Sequence, residues 1–568
     1  MYSKNKILVA ITVCLMIMIS LNACDESQFL DEQPSDFLTP GNSFRTFADF
    51  ESAVFSLYGK TRDNFVFSAS ENDFPALAWS GVDMVYQHKN DGVRPDWGGA
   101  QLLPTRTSVV QNSMWRPAFE IIFDANVIIN RAEESQMSES EKTDLLAQAH
   151  FFRGFMYKML ANLYGGVPIV LEETTEPKRD FNRASRLATY EQSAADLEFA
   201  AENLPEIDVA GDTKLNNLAA FNVLSEVYIS LERWEDAISA ATTVIDNPST
   251  ALMRERFGTM VDHPFLGGDV YWDLFRQGNV NRSTGNTETI WALQFALNVP
   301  GGQDGGFLLE RLIIPRVWQA KIENNDGSTA TIVPNPNTFV YGRGSGFMSP
   351  SYFLHTKLWE RSGEGDIRNS EHNIVRDLRV RNPQSDFDGQ FVMKDDLPIS
   401  LISLNDTTRN FFPIFAKAST VAQHPQEVFL ENPTVEGGLS NDARRTYRNR
   451  YVFRLAETYL LRAEAYLGNG NMSAASEDIN VVRRRAKAPE ITPGEVDIDY
   501  ILDERLRELH FESFRLLTLT RLDMLVERTR EVHPWVGDTY LERNNLWPIP
   551  FDEIEKNSEG DLTQNPGY

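Results

Sequence analysis

The sequence predicts a fold dominated by α-helices, in which a long irregular region interrupts the helical scaffold. Three observations lead to this prediction. Apolar residues recur at helical spacing from about residue 43 to residue 248, and a helix-pair repeat occurs twice. Residues 254–445 are instead rich in Gly, Asn, Pro and Asp, with a few short strand-like runs.

The composition indicates a globular, acidic protein with a large core. Hydrophobic residues make up 42% and aromatic residues 11% of the 568 residues, which excludes a disordered or fibrous chain. The 81 acidic residues outnumber the 54 lysines and arginines, and the net charge of -27 disfavours binding to nucleic acid. Only Cys14 and Cys24 are present, so a Cys-rich metal site and a thiol relay are excluded.

The first residues have the pattern of a bacterial lipoprotein signal. A basic start is followed by an apolar run over residues 7–21, which is too short to span a bilayer. The run ends in Leu21-Asn22-Ala23-Cys24, which resembles a lipoprotein cleavage box, although Asn22 is unusual in its position. We therefore expect residues 1–23 to be removed and Cys24 to carry a lipid anchor. The alternative is a secretory signal that contains a cysteine by chance.

Four segments before residue 248 have the apolar spacing of amphipathic helices. They are residues 43–58, 113–134, 145–163 and 190–204. Gly165, Gly166 and Pro168 follow the third segment and form the Gly-then-Pro signal that ends a helix. We interpret the whole stretch from residue 43 to residue 248 as helical.

A helix-pair repeat is the most specific structural signal in the sequence. Tyr228 is followed nine residues later by Ala237, and Tyr466 is followed nine residues later by Ala475. This offset matches the tetratricopeptide pattern, in which small residues lie where paired helices cross closely. Because one helix pair cannot bury its shared face alone, the two copies predict stacked helical repeats.

Residues 254–445 separate the two repeats and lack helical periodicity. Turn residues dominate there, as in the Gly-rich segment 342–346, and strand-like runs occur at residues 289–297 and 411–415. Long loops on a rigid scaffold commonly carry binding sites. The predicted regions are a signal at 1–23, a helical region at 24–253, a loop-rich binding region at 254–445 and a second helical region at 446–568. We expect one globular unit from residue 24 onward.

Common catalytic and metal-binding motifs are absent from the sequence. The eight histidines form no His-Glu-x-x-His motif, and no Gly-x-Ser-x-Gly nucleophile elbow occurs. Gly59-Lys60-Thr61 resembles the end of a phosphate-binding loop, but Val54 occupies the position of the required first glycine. With 81 acidic residues, a close carboxylate pair arises by chance and does not indicate a glycosidase. We therefore expect no enzyme activity, no cofactor and no metal at the binding site, and the sequence leaves open whether a structural cation is bound.

Several motifs, taken in order, resemble those of the SusD/RagB family of outer-membrane lipoproteins of Bacteroidetes. They lie at residues 29–31, 163–168, 183–185, 454–465, 504–515, 547–550 and 562–568. Singly, these motifs are mostly helix ends and packing positions. Together, in this order along nearly the whole chain, they are specific to the family.

The resemblance implies an α-rich protein built on four tetratricopeptide helix pairs, with the binding surface formed by loops outside them. It implies a lipid-anchored protein of the outer membrane, exposed at the cell surface, that binds an oligo- or polysaccharide. It further implies delivery of this ligand to a SusC-like, TonB-dependent transporter, without catalysis. Two alternatives stay open: a lid for peptide uptake and, from a different class, a surface glycosidase.

Aromatic residues in the irregular loops are the candidates for glycan contacts, since Trp and Tyr rings stack on the C–H faces of sugars. Trp97 lies in a polar, turn-rich stretch, Trp318 precedes an Asn-Asn-Asp-Gly turn, and Tyr341 adjoins the Gly-rich segment. Asp96 and Arg343 lie beside them and are candidates for hydrogen bonds to sugar hydroxyls. We expect the three aromatic rings to be exposed.

Overall fold

The computed structural model describes residues 44–568 except 45, 67–73, 90–91, 94–97, 134, 263–266, 303–305, 335–340, 393–408, 420–422, 435–436, 441–442 and 444. Cys24 and the expected signal at residues 1–23 lie outside the described residues. Long helices make up most of the regular structure, and the strands are short. The prediction of an α-dominated fold is confirmed.

Eleven α-helices of seven or more residues lie within the described part of the chain. They are α1 (Phe47–Thr61), α2 (Arg116–Ala132), α3 (Glu139–Tyr164), α4 (Arg186–Asn203), α5 (Asn217–Ser230), α6 (Trp234–Ile245), α7 (Leu455–Gly468), α8 (Met472–Arg485), α9 (Ile498–Leu509), α10 (Arg515–Arg521) and α11 (Leu525–Val532). Shorter α-helical turns lie at Phe74–Leu77, Ile207–Ala210, Val270–Asp273, Leu309–Ile313, Leu358–Glu360 and Phe551–Lys556. π-Helical segments lie at Arg62–Val66, Thr107–Trp115 and Phe353–Lys357.

Helix α3 shows how the local sequence sets the ends of a helix. The Ser138 side chain accepts a hydrogen bond from the Glu141 backbone N–H, and the Glu141 carboxylate accepts one from the Ser138 N–H. Gly165 ends the helix with a φ of 76°, a conformation that favours glycine. The helix begins at Glu139, before the predicted residue 145. The prediction missed this start because the charged first turn carries no apolar pattern.

Helices α1 to α6 form an array in which each helix packs against the next along the chain. The array continues across the irregular region, because α7 packs against α6 and α8 then packs against α7. The close contact between α6 and α7 depends on Gly468, since a Cβ at this residue would lie 2.5 Å from the ring of Trp234. The two helical regions of the sequence are therefore continuous in space.

Both copies of the sequence repeat are helix pairs joined by a short turn, α5 with α6 and α7 with α8. Ala237 and Ala475 are fully buried, which agrees with the expectation that small residues lie where paired helices cross. The assignment of four tetratricopeptide units stays a prediction.

The strands are short and mostly form pairs. They are β1 (Val85–Lys89), β2 (Gly92–Val93), β3 (Thr289–Leu293), β4 (Lys321–Glu323), β5 (Thr329–Thr331), β6 (Met348–Pro350), β7 (Ile374–Val375), β8 (Leu378–Arg379), β9 (Phe391–Val392), β10 (Ile414–Phe415), β11 (Phe429–Thr434), β12 (Gly437–Leu439) and β13 (Arg450–Arg454). In the one three-stranded sheet among the described residues, β1 lies between β2 and β6. The antiparallel pairs are β3–β13, β4–β5, β7–β10, β8–β9 and β11–β12.

Strands β1 and β2 show that the prediction of an all-helical stretch from residue 43 to residue 248 is wrong. Val85 pairs with Pro350 and Gln87 pairs with Met348, so the partner of β1 lies far along the chain. A local apolar pattern does not reveal such a pairing. The strand-like runs predicted at 289–297 and 411–415 are present, shortened, as β3 and β10.

A set of buried ion pairs joins the irregular region to β13, α8 and α9. We call it the buried ion-pair network, and its members are Glu288, Asp366, Arg368, Arg454, Arg483, Arg485, Glu504, Arg507 and Glu508. Each of these side chains is at most 2% exposed. Burial of so many charges is tolerated only where they are paired.

Glu508 on α9 is shared by three arginines from different segments. Its Oε1 lies 2.6 Å from Arg454 Nη1 and also contacts Arg485. Its Oε2 lies 3.0 Å from Arg368 Nη1. Burial alone would raise the pKa of Glu508, but the positive charges of the three arginines outweigh it and lower the pKa. The carboxylate is therefore held in its charged form inside the core.

Glu504, one turn earlier on α9, binds a second set of arginines. Its Oε1 lies 2.8 Å from Arg368 Nη1, and its Oε2 accepts hydrogen bonds from Arg483 at 3.0 Å and from Arg507 at 2.9 Å. Burial would raise the pKa of Glu504, but these three charges outweigh it and lower the pKa to about 2. Ion pairs between Arg368 of the irregular region and the two glutamates of α9 thus hold the irregular region to the helical array.

Candidate functional site

The sheet around β1 brings strands that precede or follow two of the candidate segments to one part of the molecule. β1 pairs on one side with β2, which precedes the stretch that contains Asp96 and Trp97. On its other side β1 pairs with β6, which follows the Gly-rich segment 342–346. The His88 N–H also donates to Phe347 O at 2.8 Å. Asp96 and Trp97 themselves lie outside the described residues, and their roles stay predictions.

The Gly-rich segment folds tightly onto an earlier stretch of backbone. The Ser345 N–H donates to Arg311 O at 2.9 Å. The Gly346 N–H donates to Ile314 O, also at 2.9 Å. A Cβ on Gly344 would lie 2.2 Å from the same Ile314 oxygen, which is far inside a normal contact. Glycine is therefore needed here so that the two backbones can approach each other.

Trp318 and Arg343, two of the predicted site residues, are in contact. Both are half-buried, and Arg343 Cζ lies 5.6 Å from the centre of the Trp318 ring, within the range of a cation–π interaction. Trp318 Nε1 and Arg343 Nη1 both donate to Gly344 O, each at 3.4 Å. The Arg343 backbone N–H donates to Glu310 Oε1 at 2.6 Å. The loop thus fixes a guanidinium group against a partly accessible indole ring.

Tyr341 lies inside the protein, so the expectation of an exposed ring is wrong at this residue. It is 7% exposed, and its hydroxyl donates to Arg379 O at 2.9 Å and accepts from the Arg379 N–H at 2.8 Å. Burial raises the pKa of the Tyr341 hydroxyl. The neighbouring Gly342 does not mark a loop tip, because a Cβ on it would lie 2.6 Å from a carboxylate oxygen of Glu310.

Sequence reasoning missed three arginines and a phenylalanine that adjoin the predicted pair. We call the whole set the arginine–aromatic cluster: Arg311, Arg316, Trp318, Arg343, Phe347 and Arg409. Arg409 Cζ lies 4.3 Å and Arg311 Cζ 5.4 Å from the centre of the Phe347 ring. All members except Arg409 are half-buried. Because they come from widely separated segments, no spacing in the sequence signals the cluster.

The described hydrogen bonds of Arg316 and Arg409 run to oxygen atoms of a neighbouring side chain and of the backbone. Arg409 Nε and Nη2 donate to Ser345 O at 3.0 and 2.6 Å. Arg316 Nε donates to Asn410 Oδ1 at 3.1 Å, and its backbone N–H donates to Arg409 O at 2.8 Å. Burial, and then the positive charge of Arg409, lower the pKa of Arg316 to about 10. The positive charges of Arg316 and Arg409 are therefore close enough to repel each other.

A second group of aromatic residues adjoins the same sheet. The Tyr86 ring of β1 meets the Trp535 ring edge to face at a centre-to-centre distance of 4.6 Å. The Tyr86 hydroxyl accepts from the Tyr352 N–H at 3.1 Å. Tyr352 is 41% exposed and Trp535 is half-buried. Sequence reasoning did not single out either residue, although a Pro and a Gly close to Trp535 form a turn signal.

An apolar groove with a volume of about 510 Å³ lies in the helical part of the molecule. Trp115, Phe119 and Phe123 contribute its apolar wall, and Phe123 is 43% exposed. The rest of its lining comes from α1, polar residues of α2, the stretch at residues 168–181 and the C-terminal segment. The groove is therefore built from other residues than the arginine–aromatic cluster.

Across the described residues, no group of three or more His, Cys, Asp or Glu side chains is arranged to hold a metal ion. Over the same part of the chain, no helix has both the length and the apolar character needed to cross a membrane. The arginine–aromatic cluster supplies guanidinium groups and aromatic rings, and the carboxylate of Glu310 lies against the loop at Arg343. These groups bind ligands by stacking and by donating hydrogen bonds.

Two family models match the N-terminal and the C-terminal parts of the chain. A model described as starch-binding and associating with the outer membrane matches residues 28–229. The model of the SusD family matches residues 316–568, a range that includes the arginine–aromatic cluster. The chain belongs to the SusD family.

Relatives match this SusD-family protein over most of its length. A SusD-like protein of Formosa agariphila is 24% identical over 98% of this chain and 99% of the relative. The starch-binding protein SusD of Bacteroides thetaiotaomicron is 34% identical over a shorter stretch, which covers 21% of each chain.

Solved structures share the fold of this SusD-family protein. A laminarin-binding SusD-like protein superposes with a TM-score of 0.64 at 23% identity, over 92% of this chain and 100% of the other. Surface glycan-binding protein A from Bacteroides thetaiotaomicron, in complex with laminarihexaose, superposes with a TM-score of 0.63 at 17% identity, over 91% and 98%. At these identities the likeness establishes the fold.

Proposed function

We propose that this SusD-family protein is a non-catalytic, glycan-binding lipoprotein of the cell surface that delivers its ligand to a SusC-like, TonB-dependent transporter. The observation that carries the proposal is the half-buried Trp318 ring, held by Arg343 and the Gly-rich loop in the irregular region. The family description as starch-binding, and structural neighbours named for laminarin and laminarihexaose, support a glycan as ligand.

The chemistry of the cluster suits a sugar. The flat C–H face of a pyranose ring stacks on an indole ring, while its hydroxyl groups accept hydrogen bonds from guanidinium N–H groups. Trp318 supplies the ring, and Arg343 and Arg316 supply N–H donors from adjacent loops. Binding of this kind needs a fixed platform and no bond-breaking group, which agrees with a capture role.

Substitution of Trp318 tests the binding proposal. Trp318→Ala should reduce retention in affinity gels by about fivefold or more, because ring stacking contributes about 1–3 kcal/mol. The matched control is Trp234→Ala, which removes a half-buried tryptophan from α6 instead of from the loops. Equal retention by both variants would contradict the assignment of Trp318.

A panel of soluble polysaccharides and peptide mixtures decides between the ligand classes. We expect the purified protein to retain one or more polysaccharides, without release of reducing sugar. Retention of peptides alone would favour the peptide-uptake alternative. Release of reducing sugar would show that the protein is a glycosidase.

Acylation of Cys24 is part of the proposal, and the family description as associating with the outer membrane supports it. Cys24→Ala should abolish labelling by a radioactive or alkyne-tagged fatty acid and remove the protein from the membrane fraction. Unchanged labelling would contradict this assignment.

A SusC-like partner is the last part of the proposal. We expect native purification from the outer membrane to recover a β-barrel transporter with the protein, contacted through the helical array. Recovery of the lipoprotein alone would contradict this part without affecting glycan binding.

A further inference from the structure

The apolar groove in the helical part of the molecule has no role in the proposed function. Its volume of about 510 Å³ falls within the range of roughly 300–1,000 Å³ that is typical of binding sites. Three phenylalanines of its lining keep accessible surface, since Phe123 is 43% exposed and Phe119 and Phe181 are half-buried. Accessible apolar surface gathered in one groove marks a site where a partner binds.

The chain enters the described part of the protein at Phe44, beside the C-terminal end of α2. The Phe44 ring meets the Phe50 ring of α1 at a centre-to-centre distance of 5.1 Å. It also lies 5.1 Å from Cζ of Arg131, in the last turn of α2. Arg131 pairs in turn with Glu173. Three segments of the chain therefore fix the position of Phe44.

Only a short distance separates this position from the groove. Phe123 precedes Arg131 by eight residues on α2, so a rise of 1.5 Å per residue places the two about 12 Å apart along the helix axis. The stretch that packs beside α2 runs the same way, because Val170 lines the groove and Glu173 pairs with Arg131. Asn126 of α2 donates to Val170 O at 2.9 Å and holds the two elements together. A chain that runs back from Phe44 along α2 therefore arrives at the groove.

The segment before Phe44 carries apolar side chains at the right distance. Phe37-Leu38 forms an apolar pair within residues 25–43, which are otherwise mostly polar or acidic. Phe37 precedes Phe44 by seven residues, and an extended chain of this length spans at most about 25 Å. The pair is therefore within reach of the groove. Because the segment belongs to the same chain, its effective concentration at the groove is high, and a short apolar contact is sufficient for binding.

We propose that the apolar groove binds the N-terminal segment of its own chain, with the Phe37 and Leu38 side chains packed against the groove wall at Phe119 and Phe123. Binding removes apolar surface of both the segment and the groove from water, which favours the contact. The segment then leaves the body of the protein at the groove, on its way to the proposed lipid anchor at Cys24. This last consequence rests on the proposed function, whereas the contact itself does not.

Two matched double substitutions in the full-length protein, purified in detergent, test the inference. One combines Phe37→Ser with Leu38→Ser, and the control combines Phe29→Ser with Leu30→Ser, the same chemical change farther from the groove. The first should lower the unfolding temperature by about 2 °C or more, because apolar contacts at the groove are lost. The control should unfold like the wild type. Equal unfolding temperatures of the two variants would overturn the inference.

A substitution in the groove tests the same contact from its other side. Phe123→Ser should also lower the unfolding temperature. Its combination with Phe37→Ser and Leu38→Ser should cause little further loss, since the contact is then already absent. Losses that add fully would show that the segment and the groove stabilise the protein independently, which overturns the inference.

Chemical cross-linking measures the proximity directly and keeps the test valid if Phe123→Ser does not fold. Thr39→Cys places a thiol beside the apolar pair, and Glu120→Cys places one at an exposed residue of the groove lining. A short bismaleimide should join the two thiols at least fivefold faster than in the same protein with Phe37→Ser and Leu38→Ser. The tether to the body of the protein is identical in both proteins, so equal rates would overturn the inference.

The remaining outcomes identify other occupants of the groove. A wild-type dimer that Phe123→Ser dissociates, measured by light scattering, would show that a second copy covers the groove and would overturn the inference. Glycan retention by the variants of residues 37, 38 and 123 should equal that of the wild type, because the groove and the arginine–aromatic cluster are built from different residues. Loss of retention in all of them would overturn the separation of the two sites. Failure of this inference and failure of the proposed function are thus measured separately.

Discussion

The buried ion-pair network and the arginine–aromatic cluster both gather arginines from distant parts of the chain, but their surroundings differ. In the network, Arg368 and Arg454 lie against glutamate carboxylates and are at most 1% exposed. In the cluster, Arg316 and Arg409 donate to an amide oxygen and a backbone oxygen. The comparison teaches that arginines gathered from distant segments lie fully buried among carboxylates in one region, and beside aromatic rings with partial exposure in the other.

Acid should have the largest effect, because it protonates the carboxylates that hold the buried arginines of the network. Glu504 has a pKa of about 2 in the folded protein, against an ordinary value of 4.5. Above pH 4.5 its stabilising contribution is complete. As the pH falls from 4.5 towards 2, the unfolded state binds a proton that the folded state does not, and the contribution is lost. The melting temperature should therefore fall over this range.

The variant Glu504→Gln isolates this titration from the rest of the protein. Its side chain binds no proton, so the difference in unfolding free energy between wild type and variant should shrink as the pH falls below about 4.5. Chemical denaturation at a series of pH values measures the difference. A difference that stays constant down to about pH 2.5 would contradict the lowered pKa.

Glu508→Gln should have the next largest effect, since it leaves three arginines around a neutral amide. Loss of one partner from a buried ion pair typically costs about 3–5 kcal/mol of unfolding free energy. The matched control is Glu477→Gln, which removes a carboxylate that is 60% exposed and pairs with Arg484 on α8. The control should cost less than about 1 kcal/mol. Similar losses of unfolding free energy in Glu508→Gln and Glu477→Gln would show that a buried ion pair of the network stabilises the fold no more than an exposed one.

Tyr341→Phe should have an intermediate effect, on stability alone. The substitution removes the two hydrogen bonds between the Tyr341 hydroxyl and the backbone of Arg379, at a cost of about 1–3 kcal/mol. Glycan retention should not change, since the ring is buried. Tyr352→Phe, at a residue that is 41% exposed, is the control and should leave stability nearly unchanged. Loss of retention in Tyr341→Phe at unchanged stability would restore its predicted role as a contact.

Arg343→Gln should have the smallest effect on stability. Its guanidinium group is half-buried and its described acceptor is a backbone oxygen, so the unfolding free energy should change by less than about 1 kcal/mol. Denaturant unfolding of the variant beside Glu508→Gln compares the cluster and the network directly. A loss as large as that of Glu508→Gln would place the cluster among the structural ion pairs.

Local patterns were sufficient to predict most of the helical array. Apolar periodicity and the Gly-then-Pro signal located α3, and the repeat located both α5 with α6 and α7 with α8. The strand β1 was not predictable in the same way, because its partner Met348–Pro350 lies far along the chain. The residues of β1 alone therefore do not indicate which distant segment the strand pairs with.

The candidate site was predictable only in part, and for a related reason. Trp318 and Arg343 stand near turn signals, which identify loops from a few neighbouring residues. Tyr341 stands beside the same glycines, but those glycines serve close packing, and the tyrosine is buried. Arg316 and Arg409 meet through a backbone hydrogen bond between distant segments. No property of either arginine alone indicates this meeting.

The contact between α6 and α7 has a consequence for the order in which the protein folds. Because α7 follows the whole irregular region, the helical array is complete only after that region has been synthesised and has folded back. Closure of such a long loop costs conformational entropy, and chains rich in distant contacts fold slowly. Until α7 arrives, the Trp234 side of α6 has no Gly468 to cover it. A chain in which α7 has not yet docked therefore exposes an apolar helix face, and such a surface favours aggregation until folding is complete.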